Sequence, residues 1–405
     1  MIPIPADIAR RVEFVVGSPD TIGRHPKRIF APRHVAFLGA LSQAILGDVQ
    51  ARALPDVTTF GFWCRVANLR RLAAAHTDAA RQRIGLGMTF HISPGNVPVN
   101  FAYTLAFGLL AGNTCVVRLP STTSSTADYL TAALHTLLSR DEWHDLRETL
   151  ALIRYGHDDS VTAFWSSVSD GRVIWGGDET VKNIRRHPLP PRAREIAFSD
   201  RYSLCLLDAA AVLGTSTNAL QALCESLYRD IYINDQAACS SPQLIVWLGA
   251  SETARSAQRR MWQAMRELAA AKYSPEPVQV VEKYTRLCNM IMDDPGISEI
   301  DAGSNFLYRI GRVKLAPDQS HIRAHFGTMQ EIVLDSFAPL RSIVDTSVQT
   351  ITYFGLNPSE LAAEVFESGL RGVDRIVPVG RALDIGLTWD GYDIVGTLSR
   401  IIHME

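Results

Sequence analysis

The sequence predicts an α/β fold made of two doubly wound α/β domains with mainly parallel sheets. Two observations predict it. From about residue 84, apolar runs of strand length alternate with stretches of helical period, which places helices on both faces of a parallel sheet. The alternation then starts afresh after residue 208, so the chain carries a second sheet.

Residues 1–80 read as mostly helical after a turn-rich opening, Gly17-Ser18-Pro19-Asp20 and His25-Pro26. Strands are expected at 85–92, 113–118, 149–155, 172–176 and 203–207, with helices at 97–111, 123–138, 159–168 and 178–186 between them. Pro188, Pro190 and Pro191 mark a surface loop before the last of these strands. Beyond 208, Leu220, Leu223, Cys224, Leu227 and Ile231 share one helical face, 244–248 is a buried strand and 251–271 a long helix. Strands recur near 305–310, 329–334, 349–355 and 374–379, with a helix at 358–369. The expected domains are 1–207 and 208–380, with 381–405 returning to the first domain or forming an oligomer interface.

A chain of 405 residues can bury a large core. Lys and Arg number 40 against 42 Asp and Glu, a balance that argues against an electrostatic nucleic-acid binder. The first residues lack an apolar core followed by a cleavage site, so no signal peptide is expected. The apolar run 101–117 is broken by Gly108, Gly112 and Asn113, too short for a membrane span of about 20 residues. The six cysteines lie far apart without a Cys-x-x-Cys pair, which speaks against zinc ribbons and disulfide frameworks and for a reducing cytoplasm. His321 and His325 have helical i, i+4 spacing, but no carboxylate lies between them and Pro317 argues for a loop; no metal is expected.

Two stretches carry chemistry. In residues 91–121, Ser93-Pro94-Gly95-Asn96 breaks the chain after a strand, Val97-Pro98 restarts it as an apolar helix, and Gly112-Asn113 leads into a strand delivering Arg118. Polar groups at the ends of a buried βαβ unit are where a doubly wound sheet binds a ligand. Ile174-Trp175-Gly176-Gly177 likewise runs from a strand into a helix start, where glycine lets backbone approach a pyrophosphate. Arg118, with Ser121 and Thr122 nearby, has the fork of donors that suits a phosphate. Cys239 lies in Gln236-Ala237-Ala238-Cys239-Ser240-Ser241-Pro242, on a loop with small polar neighbours, whereas Cys64, Cys115, Cys205, Cys224 and Cys288 sit in apolar segments and read as packing. A thiol on such a turn has room to attack a thioester or aldehyde, and the turn can aim backbone N–H groups at a developing oxyanion.

Ala111-Gly112-Asn113-Thr114-Cys115-Val116-Val117-Arg118 resembles the Ala-Gly-Asn-x-x-Val-Val-Lys run of the aldehyde dehydrogenase superfamily. Pro94-Gly95-Asn96-Val97-Pro98 resembles its Pro-Trp-Asn-Phe-Pro turn. The Cys239 motif, with Asp374-Arg375-Ile376-Val377-Pro378 and Trp389-Asp390-Gly391-Tyr392-Asp393, is similar to the LuxC-type acyl-CoA reductases of that superfamily. The resemblance implies an aldehyde dehydrogenase-like fold with a cofactor domain, a catalytic domain and self-association. It implies Cys239 as nucleophile and Asn96, with the Cys239 N–H, as oxyanion donor. Gly176 and Gly177 would face the cofactor phosphate, Arg118 and Ser121 the adenosine ribose, and Glu331 the nicotinamide ribose, unless Glu331 is an exposed strand residue. Arginine in place of the family's lysine favours NADPH, with NADH as the alternative. Hydrolytic members carry a water-activating glutamate in Glu-Leu-Gly-Gly; here Ala197 falls at that position in Glu195-Ile196-Ala197-Phe198, with Glu195 nearby as the alternative.

The expected activity is therefore reduction of an acyl thioester, from acyl-CoA, an acylated carrier or a dedicated synthetase, to an aldehyde. An aldehyde dehydrogenase making acid stays open, as does a thiol acyltransferase or hydrolase with a vestigial cofactor site. Trp389 and Tyr392 either wall a substrate tunnel or pack the C-terminal segment.

Overall fold

The computed structural model describes residues 1–76, 82–315 and 323–404. They form two compact units, Met1–Asp200 joined by the C-terminal residues from Gly386, and Arg201–Ile385.

The first unit is built on strands β1 (Glu13–Val16), β2 (Gln82–Gly85), β3 (Met88–Ile92), β4 (Thr114–Arg118), β5 (Leu150–Arg154), β6 (Gly171–Trp175) and β7 (Arg194–Phe198). All but β2 form one sheet in the order β1-β5-β4-β3-β6-β7, parallel except for β1. The chain moves from β3 outward to β4 and β5, then returns to the other side of β3 with β6. The order therefore reverses between β3 and β6, the place where open α/β sheets bind ligands at the carboxyl ends of their strands. The apolar helix begins at Asn100, because Val97-Pro98-Val99 forms a preceding turn closed by Asn100 N–H to Val97 O at 3.0 Å. Every residue of Asn100–Leu110 is buried, as a helix apolar on all sides must be.

Asn113 secures the next turn. Its Oδ1 accepts Leu86 N–H (2.7 Å) and its Nδ2 donates to Leu398 O (2.9 Å), so this asparagine is a structural pin. Gly112 sits at φ +84° with the Lys27 carbonyl where a Cβ would stand, which only glycine satisfies.

The second unit contains β8 (Tyr202–Asp208), β9 (Pro242–Leu248), β10 (Ile297–Ser304), β11 (Leu307–Arg312), β12 (Thr328–Leu334), β13 (Val348–Phe354) and β14 (Arg375–Pro378). Their order is β10-β11-β12-β9-β8-β13-β14, parallel except for the β10–β11 hairpin. Trp247, Trp262, Met261 and Met265 are fully buried between this sheet and the helix Ser251–Lys272. The last strands, β15 (Thr388–Trp389), β16 (Tyr392–Asp393) and β17 (Ser399–Ile402), belong to the first unit, where β17 pairs antiparallel with β2.

One expectation is corrected, and several elements were not foreseen. The strand at 203–207 does not close the first sheet; as β8 it lies inside the second. The first sheet ends instead on β7, where Arg194 and Glu195 leave too short an apolar run to be read as a strand. The helix Pro277–Asp293 and strand β10 were also missed; β10 is an edge strand with no buried residue.

Candidate active site

The loop that carries Cys239 follows the helix Thr217–Tyr232. Asp235 and Gln236 take left-handed backbone angles (φ +49° and +62°), a conformation costing about 1 kcal/mol or more per non-glycine residue. Side-chain bonds hold it. The fully buried Gln236 donates from Nε2 to Pro242 O (2.9 Å) and Thr328 O (3.0 Å) and accepts Thr328 N–H on Oε1 (3.2 Å). Asp235 accepts Tyr273 OH (2.6 Å) and Gln279 Nε2 (3.1 Å). Gln243 Nε2 donates to Gln236 O (3.0 Å). The glutamine that opens the Gln236–Pro242 motif thus locks the loop to two strands.

The turn itself is closed by Ser241 N–H to Ala238 O (2.9 Å), which leaves Cys239 and Ser240 at its tip. Ser203 Oγ donates to Cys239 O (2.8 Å) and accepts Thr350 N–H (3.2 Å). Cys239 is partly exposed, while its sulfur accepts from Gln349 Nε2 at 3.1 Å. Cys239 therefore sits at the amino ends of β9, β8, β13 and β14. Cys64, Cys115, Cys205 and Cys224 are buried, and burial drives their thiols up, Cys115 and Cys205 to about 12 and Cys224 to about 11. Those four are poor nucleophiles. Cys288, expected in the core, is half-buried on its helix.

Arg375, in the register pair Thr350–Arg375, borders this turn. Its Nη1 donates to Ala382 O (2.7 Å) and its Nη2 to Arg381 O (2.7 Å) and Asp384 O (2.8 Å). Burial lowers the guanidinium's pKa, while Asp384, Asp230 and Cys239 draw it upward. Asp230 fixes the same segment by accepting Gly380 N–H (2.6 Å) and Ala382 N–H (2.9 Å); burial raises its carboxyl to about 6 against those two bonds. Gln349 and Arg375 are the groups sequence reading missed. Arg375 lay in a quoted motif, whereas a glutamine in a strand carries no chemical signal until its partner is seen.

Glu331 requires a correction. It is 3% exposed, neither an exposed strand residue nor open to a ribose. Oε2 accepts Trp247 Nε1 (2.9 Å), Gln258 Nε2 (3.0 Å) and Trp262 Nε1 (2.7 Å), and Oε1 accepts Arg309 Nε (3.0 Å) and Nη2 (2.5 Å). Five donors fill a carboxylate's roughly four lone-pair sites, so it is a structural anchor.

In the first unit, the Ser93–Asn96 loop, Arg118 and the Gly176-Gly177 turn gather at one rim, because Ile92 pairs with Arg118 and Ile174 across parallel strands. Asn96 is exposed, and so is Ser121 on the loop after β4. Arg118 lies 4.6 Å over the Tyr155 ring and reaches Tyr155 O and Gly156 O only at 3.4 and 3.3 Å, while its buried Nε has no partner. Gly177 is open, a Cβ there meeting nothing nearer than 3.8 Å, whereas Gly176 is required by Thr180 at 2.8 Å. Asp178, Glu179 and Asp200 crowd that turn with negative charge, and Asp178 Oδ1 accepts Asp200 N–H at 3.2 Å. Phosphate fits the Arg118 corner better than the glycine turn. Beneath the rim, burial lowers His91 to about 3, leaving a neutral ring bonded to Thr104 Oγ1 (2.7 Å) and Thr89 Oγ1 (2.8 Å).

Glu195 lies at the opposite end of the sheet, paired with Arg172 (2.5 Å) and Arg185 (2.7 Å). Trp175 stacks on Phe198 at 3.7 Å, and Tyr392 meets Phe198 edge-on at 5.7 Å, so Tyr392 packs the C-terminal segment. His321 lies outside the described residues. Among the described residues, no helix is long and apolar enough to cross a membrane.

These two units define an aldehyde dehydrogenase-like α/β protein with a cysteine on the second sheet's inter-element turn. Solved structures agree on the fold: an NAD-dependent benzaldehyde dehydrogenase from Corynebacterium glutamicum matches with TM-score 0.62 at 11% identity, over 91% of this chain and 82% of that one. Lactaldehyde dehydrogenase from Escherichia coli matches with TM-score 0.60 at 13% identity, over 92% and 85%. The chain belongs to the acyl-CoA reductase (LuxC) family, whose model matches residues 65–285, more than half of its length. Among curated relatives, the long-chain acyl-protein thioester reductases of Aliivibrio fischeri and Photorhabdus laumondii are 24% and 27% identical over 165 residues. That stretch is 40% of this chain and 32% of each relative, so the chain spans about a third of the relatives it matches.

Proposed function

We propose that this protein reduces a long-chain acyl thioester to an aldehyde, with Cys239 as the acylated nucleophile. The observation that carries the reading is the Cys239 sulfur at the tip of a clamped turn, 3.1 Å from an amide donor. The relatives' names point to an acylated protein as donor, and the family description to acyl-CoA.

In this mechanism the Cys239 thiolate attacks the thioester carbonyl. Its S–C bond forms, the donor's C–S bond breaks, and the departing thiolate takes a proton from solvent. A nicotinamide cofactor, held by Arg118 and Ser121, would supply the hydride whose two electrons reduce the acyl carbon. The resulting thiohemiacetal collapses, breaking its S–C bond, which releases aldehyde and restores the Cys239 thiolate. Asn96 and the Cys239 N–H are the proposed oxyanion donors. Arg118, with donor capacity unspent, and Ser121 would hold the adenosine end, and arginine there favours NADPH over NADH. Gly177 offers open backbone to the cofactor, whereas Glu331 is left out. Glu195, committed to two arginines, supports a site in which water attacks the acyl-enzyme slowly.

The test is cofactor oxidation at 340 nm with palmitoyl-CoA, palmitoylated carrier protein or neither. NADPH consumption that needs the donor and yields aldehyde supports the reading; acid made from aldehyde and NADP⁺ without a thiol acceptor overturns it. Asn96→Ala is expected to lower kcat about 10²–10³-fold, as loss of one oxyanion donor does.

A further inference from the structure

Gln349 is 2% exposed. Its carboxamide is oriented. Its Oε1 lies 3.3 Å from the Thr350 hydroxyl, and its Nε2 lies 3.1 Å from the Cys239 sulfur. The backbone on either side is fixed as well: Asp374 N–H donates to Gln349 O (2.9 Å), and Ser203 ties Thr350 N–H to Cys239 O through its single hydroxyl. A buried N–H donor directed at sulfur stabilises the charged form of the thiol, because thiolate accepts such a bond far more strongly than thiol does. The half-buried guanidinium of Arg375, on the neighbouring strand, adds positive charge to the same surroundings.

We propose that Gln349 is a catalytic residue whose amide holds Cys239 as the reactive thiolate. The assignment rests on reading Cys239 as the nucleophile. A carboxamide suits a thioester reductase for a chemical reason: it does not ionise near neutral pH, so it steadies the thiolate without acting as a base toward water. A carboxylate or imidazole in its place would supply the base that hydrolyses an acyl-enzyme. Ionisation is simple in balance: the thiol proton goes to solvent, and the sulfur lone pair gains the Nε2–H bond.

The experiment is iodoacetamide alkylation of the full chain from pH 6 to 10, followed at the Cys239 peptide by mass spectrometry, with the half-buried Cys288 as internal reference. The variants are Gln349→Met, which keeps size and removes the donor, and Gln349→Glu, which places negative charge beside sulfur. Each is expected to slow Cys239 alkylation at pH 7 about tenfold, the factor for a hydrogen bond to a charged group. The wild-type and variant rates are expected to converge at high pH, where the thiol ionises in all of them, and Cys288 to react alike throughout. Superimposed profiles would overturn the proposal. So would a slowing by one factor at every pH, the mark of lost access or a disturbed fold. Alkylation needs neither acyl donor nor cofactor, so this result stands apart from acylation of Cys239, whose failure would instead defeat the proposed function.

Discussion

Cys239→Ala is expected to abolish acyl-thioester reduction, with a loss on the order of 10⁴-fold or more, since removing a covalent nucleophile leaves only binding and orientation. The fold should persist. The sulfur is partly exposed, while the turn is set by Gln236, Asp235 and Ser203 through bonds that do not involve it. Unfolding free energy is expected to fall by no more than about 1–3 kcal/mol, the cost of taking the sulfur acceptor from Gln349 Nε2, which leaves the protein folded. Steady-state cofactor oxidation and a thermal melt on the same preparation check both halves. A variant that loses activity together with its fold would not implicate the sulfur.

The second large effect is structural. Glu331→Ala removes the acceptor for Trp247, Trp262, Gln258 and the half-shielded Arg309. Breaking a buried ion pair on one side costs about 3–5 kcal/mol, because the partner charge and its neighbouring donors are left unpaired. Against a typical domain stability of about 5–15 kcal/mol, that is a large share. Urea unfolding followed by tryptophan fluorescence should show the second unit's midpoint falling steeply. A residue whose task was to touch a cofactor ribose would behave otherwise, raising the KM for cofactor while the unfolding curve stayed in place.

The alternation of strand and helix was legible in sequence because parallel strands buried on both faces are written as apolar runs, as in 244–248 and 113–118. Edge strands escape that rule. β7, β10 and β1 are buried at few positions and carry charge, so none of them shows the apolar run of a central strand, and β1 falls in a stretch that reads as helical. Which sheet a strand joins was also hidden: β8 and β7 lie four residues apart in sequence yet belong to different sheets.

The site divides the same way. Cys239 stood out by its loop and small neighbours. Gln349 and Asp230 act through partners far away in sequence, so nothing local announces them. Glu331 misled for the complementary reason. A glutamate on a strand looks solvent-facing until two tryptophans and an arginine from other elements converge on it.

The account turns on one covalent bond. Protein incubated with palmitoyl-CoA or palmitoylated carrier protein, without cofactor, should gain the mass of one palmitoyl group on the peptide bearing Cys239. Adding NADPH should discharge that group as palmitaldehyde and return the peptide to its free mass. An unmodified Cys239, or an acyl group on another residue, would contradict the account.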